Sequence, residues 1–333
     1  MLRFPMSSTI RSKRLGAANR LNQSMLISHR VQMHIRETPE RAEIVWPKIS
    51  LVTAVYNGDK YLEATIRSVL GQGYPNLEYI IVDGGSTDGT IEIIRKYEKQ
   101  VTCWFRQEGS GVYAALNQGF ARSTGVIMGW LNSSDMLHVD GLLVVGSVFA
   151  TLREVEWITG RPTGFGTNGM GVRIGEVPHW SRYRFLAGAN IFIQQESTYW
   201  RRGLWERAGG ALSTEFPAAG DFELWTRFFR HAKLYPVDAL IAGYRRHEDA
   251  LSASDMDGYI RDCNEIARRE AEQAPKWRAT LKAFRWVSRV VKPIPKVRGL
   301  WHRAAVKRLY TVRGRDWPPV IEWDDREWRF RTR

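Results

Sequence analysis

The chain has 333 residues, 44% of them hydrophobic and 25% charged, enough for one large α/β domain with extensions or for two domains. Its two cysteines, Cys103 and Cys263, exclude a disulfide framework and a cysteine metal cluster and fit a reducing compartment; no apolar run approaches the roughly 20 residues of a membrane span. The net charge of +14 sits in the ends: residues 1–45 hold eight Lys/Arg against three Asp/Glu and residues 268–315 fifteen against two, whereas residues 46–267 hold 22 against 25, which argues against a nucleic-acid enzyme, whose own cleft would carry the basic charge.

Residues 1–45 read as a basic, flexible arm. The first 36 contain no acid, a composition shared with organelle transit peptides. "KISLVTAVYN" (48–57) is a β-branched apolar run and predicts a buried strand. "DKYLEATIRSVLGQ" follows with Leu62, Ile66, Val69 and Leu70 at helical spacing. "LEYIIVDGG" predicts a second strand, "TIEIIRKYEKQ" a second helix, "VTCWF" a third strand, "GVYAALNQGFARS" a third helix and "VIMGWL" a fourth strand. "GLLVVGSVFA" reads as a buried helix. This alternation predicts an α/β fold with a mostly parallel central sheet and helices on both faces. Ligands of such sheets bind beyond the carboxyl ends of the strands, where Tyr56, Asp83 and Asp135 fall. After residue 154 the spacing changes: "VEWITG", "GVRIG" and "NIFIQQES" predict short strands, and "RRGLWERAG" and "AGDFELWTRFFRH" helices.

Three stretches carry chemistry. "VDGGSTDGT" (82–90) ends a strand and opens a helix, so Asp83 can accept from a base N–H while Gly84 and Gly85 allow close backbone approach. Ser86, Thr87 and Asp88 are good helix caps, and a capped turn alone would also account for the stretch. Asp221 falls in the first turn of a predicted helix, where an acid is ordinarily a helix-dipole partner. His247, in "YRRHEDALS", matters only if its loop folds back on the crevice.

Taken in order, "LVTAVYNGDKYLEATIRSVLGQ", "YIIVDGGSTDGT", "GVYAALNQGF", "GWLNSSD", "AGDFELWTRF" and "YRRHEDALS" resemble the family-2 glycosyltransferases, which have the GT-A fold. More narrowly, they resemble bacterial enzymes that build exopolysaccharide or lipopolysaccharide. The resemblance covers about residues 48–255. It implies a GT-A domain over 46–255, with residues 256–333 as a basic, aromatic C-terminal extension. It further implies inverting transfer from a UDP- or GDP-sugar to a glycan or lipid-linked acceptor. On this resemblance Val55, Tyr56, Asp83, Gly84 and Ser86 lie by the base, Gly111 and Asn117 by the ribose and donor sugar, and Ser134 by the donor. Asp221 is the general base, and Asp135 and His247 approach a divalent metal, Mg²⁺ or Mn²⁺.

"LNSSD" (131–135) departs from the "LNSDD" or "LDSDD" of close relatives. Asn132 and Ser134 stand where metal carboxylates are expected, and only Asp135 remains. A weakly held metal, a metal-independent site and a loss of activity all stay open. "KWRATLKAFRWVSRVVK" places Trp277, Leu281, Phe284, Val287 and Val291 on one helical face beside a basic one. That is the pattern of an interfacial helix on anionic lipid, or of a helix packed on the domain. The expectation is a cytoplasmic enzyme, peripheral on the inner face of the cell membrane, with no nucleic-acid partner. A non-catalytic sugar-nucleotide-binding relative and a basic nucleic-acid-binding protein are the alternatives.

Overall fold

A computed structural model describes residues 45–107, 109, 111–182, 185, 192–248, 255–273, 286, 318–324, 327 and 329–333. The N-terminal arm and the expected interfacial helix lie outside these residues, apart from Val45 and Trp286.

The first half follows the predicted alternation. β1 (Ile49–Val55), α1 (Leu62–Leu70), β2 (Leu77–Asp83), α2 (Thr90–Lys96), β3 (Cys103–Arg106), α3 (Val112–Arg122) and β4 (Ile127–Trp130) run in order. β1 pairs in parallel with β2 and β4, and β2 with β3. Period-two alternation decides which face each residue serves. Val52, Ile80, Val82, Met128 and Trp130 face one buried cluster, with Tyr113, Leu116 and Phe120 of α3. Leu51, Val55, Tyr79, Ile81 and Ile127 face the other, with Leu62, Ile66 and Val69 of α1. Helices therefore cover both faces, and β1, β2 and β4 are buried almost throughout, whereas the edge strand β3 is half-buried.

The second half completes the sheet and adds a smaller one. β5 (Met136–Leu137) and α4 (Gly141–Thr151) lead to β6 (Trp157–Thr159), β7 (Thr163–Phe165) and β8 (Gly171–Ile174). β9 (Thr198–Arg201), α5 (Arg202–Arg207), α6 (Gly220–His231), β10 (Leu234–Pro236) and β11 (Ala242–Arg245) follow. Among the described residues the main sheet has the order β10-β6-β9-β4-β1-β2-β3, and a second sheet the order β5-β11-β7-β8. β9 runs antiparallel to both its neighbours, β4 and β6, so the sheet is mostly but not wholly parallel.

The described residues of "NIFIQQES", 192–197, do not form the strand that composition predicts. Gln195–Ser197 forms a 3-10 turn, and the strand begins at Thr198. The reason is long-range: the Gln194 side chain accepts from Thr163 N–H and donates to Thr163 O, and the Gln195 amide donates to Trp130 O. These bonds fix the backbone in a turn between the two sheets.

Two C-terminal elements pack on the body. α7 (Met256–Gln273) lies against α6, where buried Glu270 pairs with Arg182 and Arg230. β12 (Ile321–Asp324) and β13 (Arg329–Thr332) form a hairpin that buries Ile321 and Phe330 in the α1-side cluster. Among the described residues no helix is long and apolar enough to cross a membrane.

Gly129 of β4 shows how tightly β4 and β9 meet. A Cβ there would lie 2.7 Å from ring carbons of Tyr199, which is itself fully buried. Gly129→Ala should therefore destabilise the chain by about 1–3 kcal/mol through overpacking, despite the backbone advantage of alanine. Urea unfolding checks this; unchanged stability would mean that the Tyr199 ring yields.

Candidate active site

The carboxyl ends of β1, β2, β3 and β4 open onto one crevice. The loops that line it are laced by side chains, because a loop at a strand end has backbone groups that the ladder no longer satisfies. Asn57, in the left-handed region at φ 48, donates its N–H to Ser86 Oγ (2.9 Å) and accepts from Thr87 N–H (2.9 Å). Gly58 N–H donates to Thr90 Oγ1, and Asp59 N–H to Asp88. Asp88 also accepts from the N–H of Thr90, the first residue of α2. Gly84 N–H donates to Val55 O at 2.7 Å. A Cβ on Gly84 would lie 3.2 Å from that oxygen and 3.3 Å from Tyr56 Cβ. The missing side chain is what lets Tyr56, 66% exposed, rest beside the turn.

The other candidates fall as follows. Val55 has its side chain in the core and offers the crevice only a carbonyl already engaged by Gly84. Gly111, at φ 91, precedes the first residue of α3 and stands exposed at the crevice. The Asn117 amide is engaged within the chain: it donates to Leu212 O (2.9 Å) and accepts from Leu212 N–H (2.7 Å), so it pins the 208–216 loop to α3. The Asp83 carboxylate is fully enclosed rather than open to a base. It accepts from Gly85 N–H (3.0 Å), Ser86 N–H (3.1 Å) and Arg106 Nε (3.1 Å).

The expected metal site is not formed by these residues. Asp135 has no exposed surface. Its oxygens accept from Arg245 N–H (2.9 Å) and the Asn132 amide (3.0 Å). Arg245 Nε takes Ser134 O at 2.7 Å, and its guanidinium lies over the Tyr61 ring, which His247 also packs against. A hard divalent ion needs about six oxygen ligands facing one point. Among the described residues no three His, Cys, Asp or Glu side chains gather so. The residues present do not fit a preformed site for Mg²⁺ or Mn²⁺.

Asp221 lies in the first turn of α6, with its N–H 3.4 Å from Tyr113 Oη on α3. Its Oδ1 is enclosed without a hydrogen-bond partner. Burial pushes its carboxyl up to about 6. Burial, and then the Asp221 charge, also raises Tyr113, Tyr259 and Cys263, which places all four together. Glu196, in the 3-10 turn, is a further buried carboxyl that sequence reasoning passed over. Burial and then the charge of Asp135 raise it well above the usual carboxylate range, and Asp221 adds to the effect. Burial likewise pushes Asp135 up to about 7. The polar "QQES" in an apolar context was the signal for Glu196; only the fold shows that it joins the other two. A groove of about 410 Å³ beside Glu154, Glu156 and Arg230 lies at the amino end of β6 and contains none of the expected site residues.

Residues 50–145 match the family described as Glycosyl transferase family 2. The chain is 39% identical over 99 residues to a putative teichuronic acid biosynthesis glycosyltransferase of Bacillus subtilis, covering 29% of this chain and 39% of that relative. It is 29% identical over 190 residues to an uncharacterized glycosyltransferase of Mycobacterium tuberculosis, covering 54% and 68%. The chain thus spans about two fifths of the length of the Bacillus relative. Its fold matches that of S. aureus TarS 1-349 in complex with UDP-GlcNAc, with a TM-score of 0.58 at 19% identity, over 74% of this chain and 73% of that one. The architecture is the GT-A fold.

Asn117→Ala separates scaffold from ligand contact. It leaves both Leu212 backbone groups without their partner and should cost about 1–3 kcal/mol of stability. Affinity for UDP and GDP should stay within about twofold. Loss of nucleotide binding with stability intact would place Asn117 on the donor after all.

Proposed function

We propose that the chain is an inverting glycosyltransferase that moves a sugar from a UDP- or GDP-linked donor to a glycan or lipid-linked acceptor in surface polysaccharide synthesis. The observation that carries this reading is Asp221. It is a half-buried carboxyl with an unpartnered oxygen, a proton affinity raised to about 6 and a position in a first helical turn. Tyr113 ties it to the start of α3, and hence to the end of the sheet where the β1 and β2 loops would hold a nucleotide.

In this reaction the acceptor hydroxyl attacks the anomeric carbon of the donor. The new C–O bond forms as the bond from that carbon to the diphosphate oxygen breaks. Asp221 takes the hydroxyl proton, and the nucleoside diphosphate leaves with the electron pair. One displacement by one base inverts the sugar carbon. A group that must accept a proton works best when its proton affinity lies near the working pH, and burial sets Asp221 there. No step is assigned to a metal ion. The match to glycosyl transferase family 2 supports the reaction class. The Lys/Arg excess of residues 268–315 supports delivery to an anionic membrane surface that holds a lipid-linked acceptor.

Asp221→Asn should lower turnover by roughly 10²–10⁴ while leaving UDP and GDP affinity within a few-fold. In the wild type, kcat/KM should fall about tenfold per pH unit below about 6 and level off above it, because only the ionised carboxylate accepts the proton. Steady-state assays of nucleoside diphosphate release across pH 4.5–8 check both. Near-wild-type transfer by the Asn variant would make Asp221 a helix cap only.

A further inference from the structure

Helix α7 brings an exposed aromatic ring close to Asp221. Its Tyr259 and Cys263, one turn apart, pack on the cluster that holds Tyr113 and Phe222, the residue after Asp221. Burial first, and then the Asp221 charge, raises both the Tyr259 hydroxyl and the Cys263 thiol. The Phe192 ring stacks on Tyr259, with centroids 5.3 Å apart and planes 11° from parallel. Tyr259 is half-buried, but Phe192 is 53% exposed, with Met256 at 38% and Ile260 at 41%. Met256, Tyr259 and Ile260 fall at i, i+3 and i+4 and so share one side of α7. Together with Phe192 they form an uncovered apolar ledge, the kind of patch that marks a binding surface when polar groups rim it.

The rim selects the occupant. Residues 255–262 hold Asp255, Asp257 and Asp262 against Arg261 alone. Asp255 accepts from Gly258 N–H, while Asp257 is exposed and Asp262 partly so. Such a rim repels an anionic lipid surface, whereas carboxylates accept hydrogen bonds from hydroxyls. A pyranose offers both matching parts, a C–H face for the ring and hydroxyls for the acids. The acceptor is also the substrate that must reach Asp221, because that carboxylate takes its proton.

We infer that the Phe192 ring, backed by Tyr259, is the platform for a sugar ring of the acceptor, which makes the acceptor a glycan held by its pyranose face. This rests on the transfer reading above and deepens it. The two rings are stacked before a ligand arrives, so little side-chain freedom is lost on binding.

Saturation-transfer NMR of the full chain tests this, with GDP or UDP present and the methyl glycosides of glucose, galactose, mannose and N-acetylglucosamine as probes. At least one glycoside should receive signal at its ring C–H protons. Phe192→Ala should weaken that glycoside by about tenfold, with GDP or UDP affinity kept within about twofold. Phe192→Trp keeps a platform and should bind the glycoside as the wild type does. Thermal melting of both variants checks that they fold. Glycoside binding unchanged in the alanine variant would overturn the assignment, as would a wild type that binds GDP or UDP but none of the glycosides. An alanine variant that loses binding to phosphatidylglycerol vesicles instead would make the ledge a lipid contact and also overturn it. A wild type that binds neither GDP nor UDP would overturn the donor reading itself, and with it the acceptor role of the ledge.

Discussion

The site depends on the last rung of the β1–β2 ladder. Val55 and Asp83 are parallel partners there, so two loops distant in sequence leave the sheet side by side. Gly84 N–H on Val55 O continues the pairing one step beyond the strands. Ser86, Thr90 and Asp88 then satisfy the backbone of residues 57–59. Each bond is modest alone. Together they fix Tyr56 and the Gly84–Ser86 turn, three of them through side chains of the β2–α2 connection and its helix start, and the β2–β3 register adds Arg106 to the same place.

The crevice is also shaped by the cost of enclosing charge. Asp135, Glu196 and Asp221 are carboxyls drawn from three separate segments, and burial raises the proton affinity of each. A buried carboxylate without a cation is costly, and protonation is the cheaper state. Asp135 is the best compensated, with two donors on its oxygens and the Arg245 guanidinium near it. Glu196 has the least help, because the charges of Asp135 and Asp221 both raise it further, and Asp221 stands half-buried by Tyr113. Asp221 is the one of the three that keeps some exposure, and one of its oxygens has no hydrogen-bond partner.

Much of this was legible in the residues. The short apolar, β-branched runs showed β1 to β4, helical spacing showed α1, and the segments between and after them showed α3 and α6. Asp83 and Asp221 fell at the element ends where they were expected. What the sequence hid was partnership. Asn117 looked like a ligand contact until Leu212, 95 residues on, took both ends of its amide. "QQES" looked like a strand because nothing local shows that Gln194 bonds Thr163 and Gln195 bonds Trp130. Arg106 was passed over because its pairing with Asp83 follows from strand register, and one residue of slip would send it to the other face. The missing carboxylate in "LNSSD" was visible in the sequence. That the remaining Asp135 turns inward to Asn132 and Arg245 was not.

The central claim is that a nucleotide binds at the carboxyl ends of β1, β2 and β3. Amide hydrogen exchange of the full chain, with and without saturating GDP or UDP, tests it most directly. Slowed exchange in residues 56–61 and 84–90, with little change beside Glu154 and Arg230, is the expected result. Binding of GDP or UDP that leaves both loops unprotected, or that protects the groove beside Arg230 instead, would contradict it.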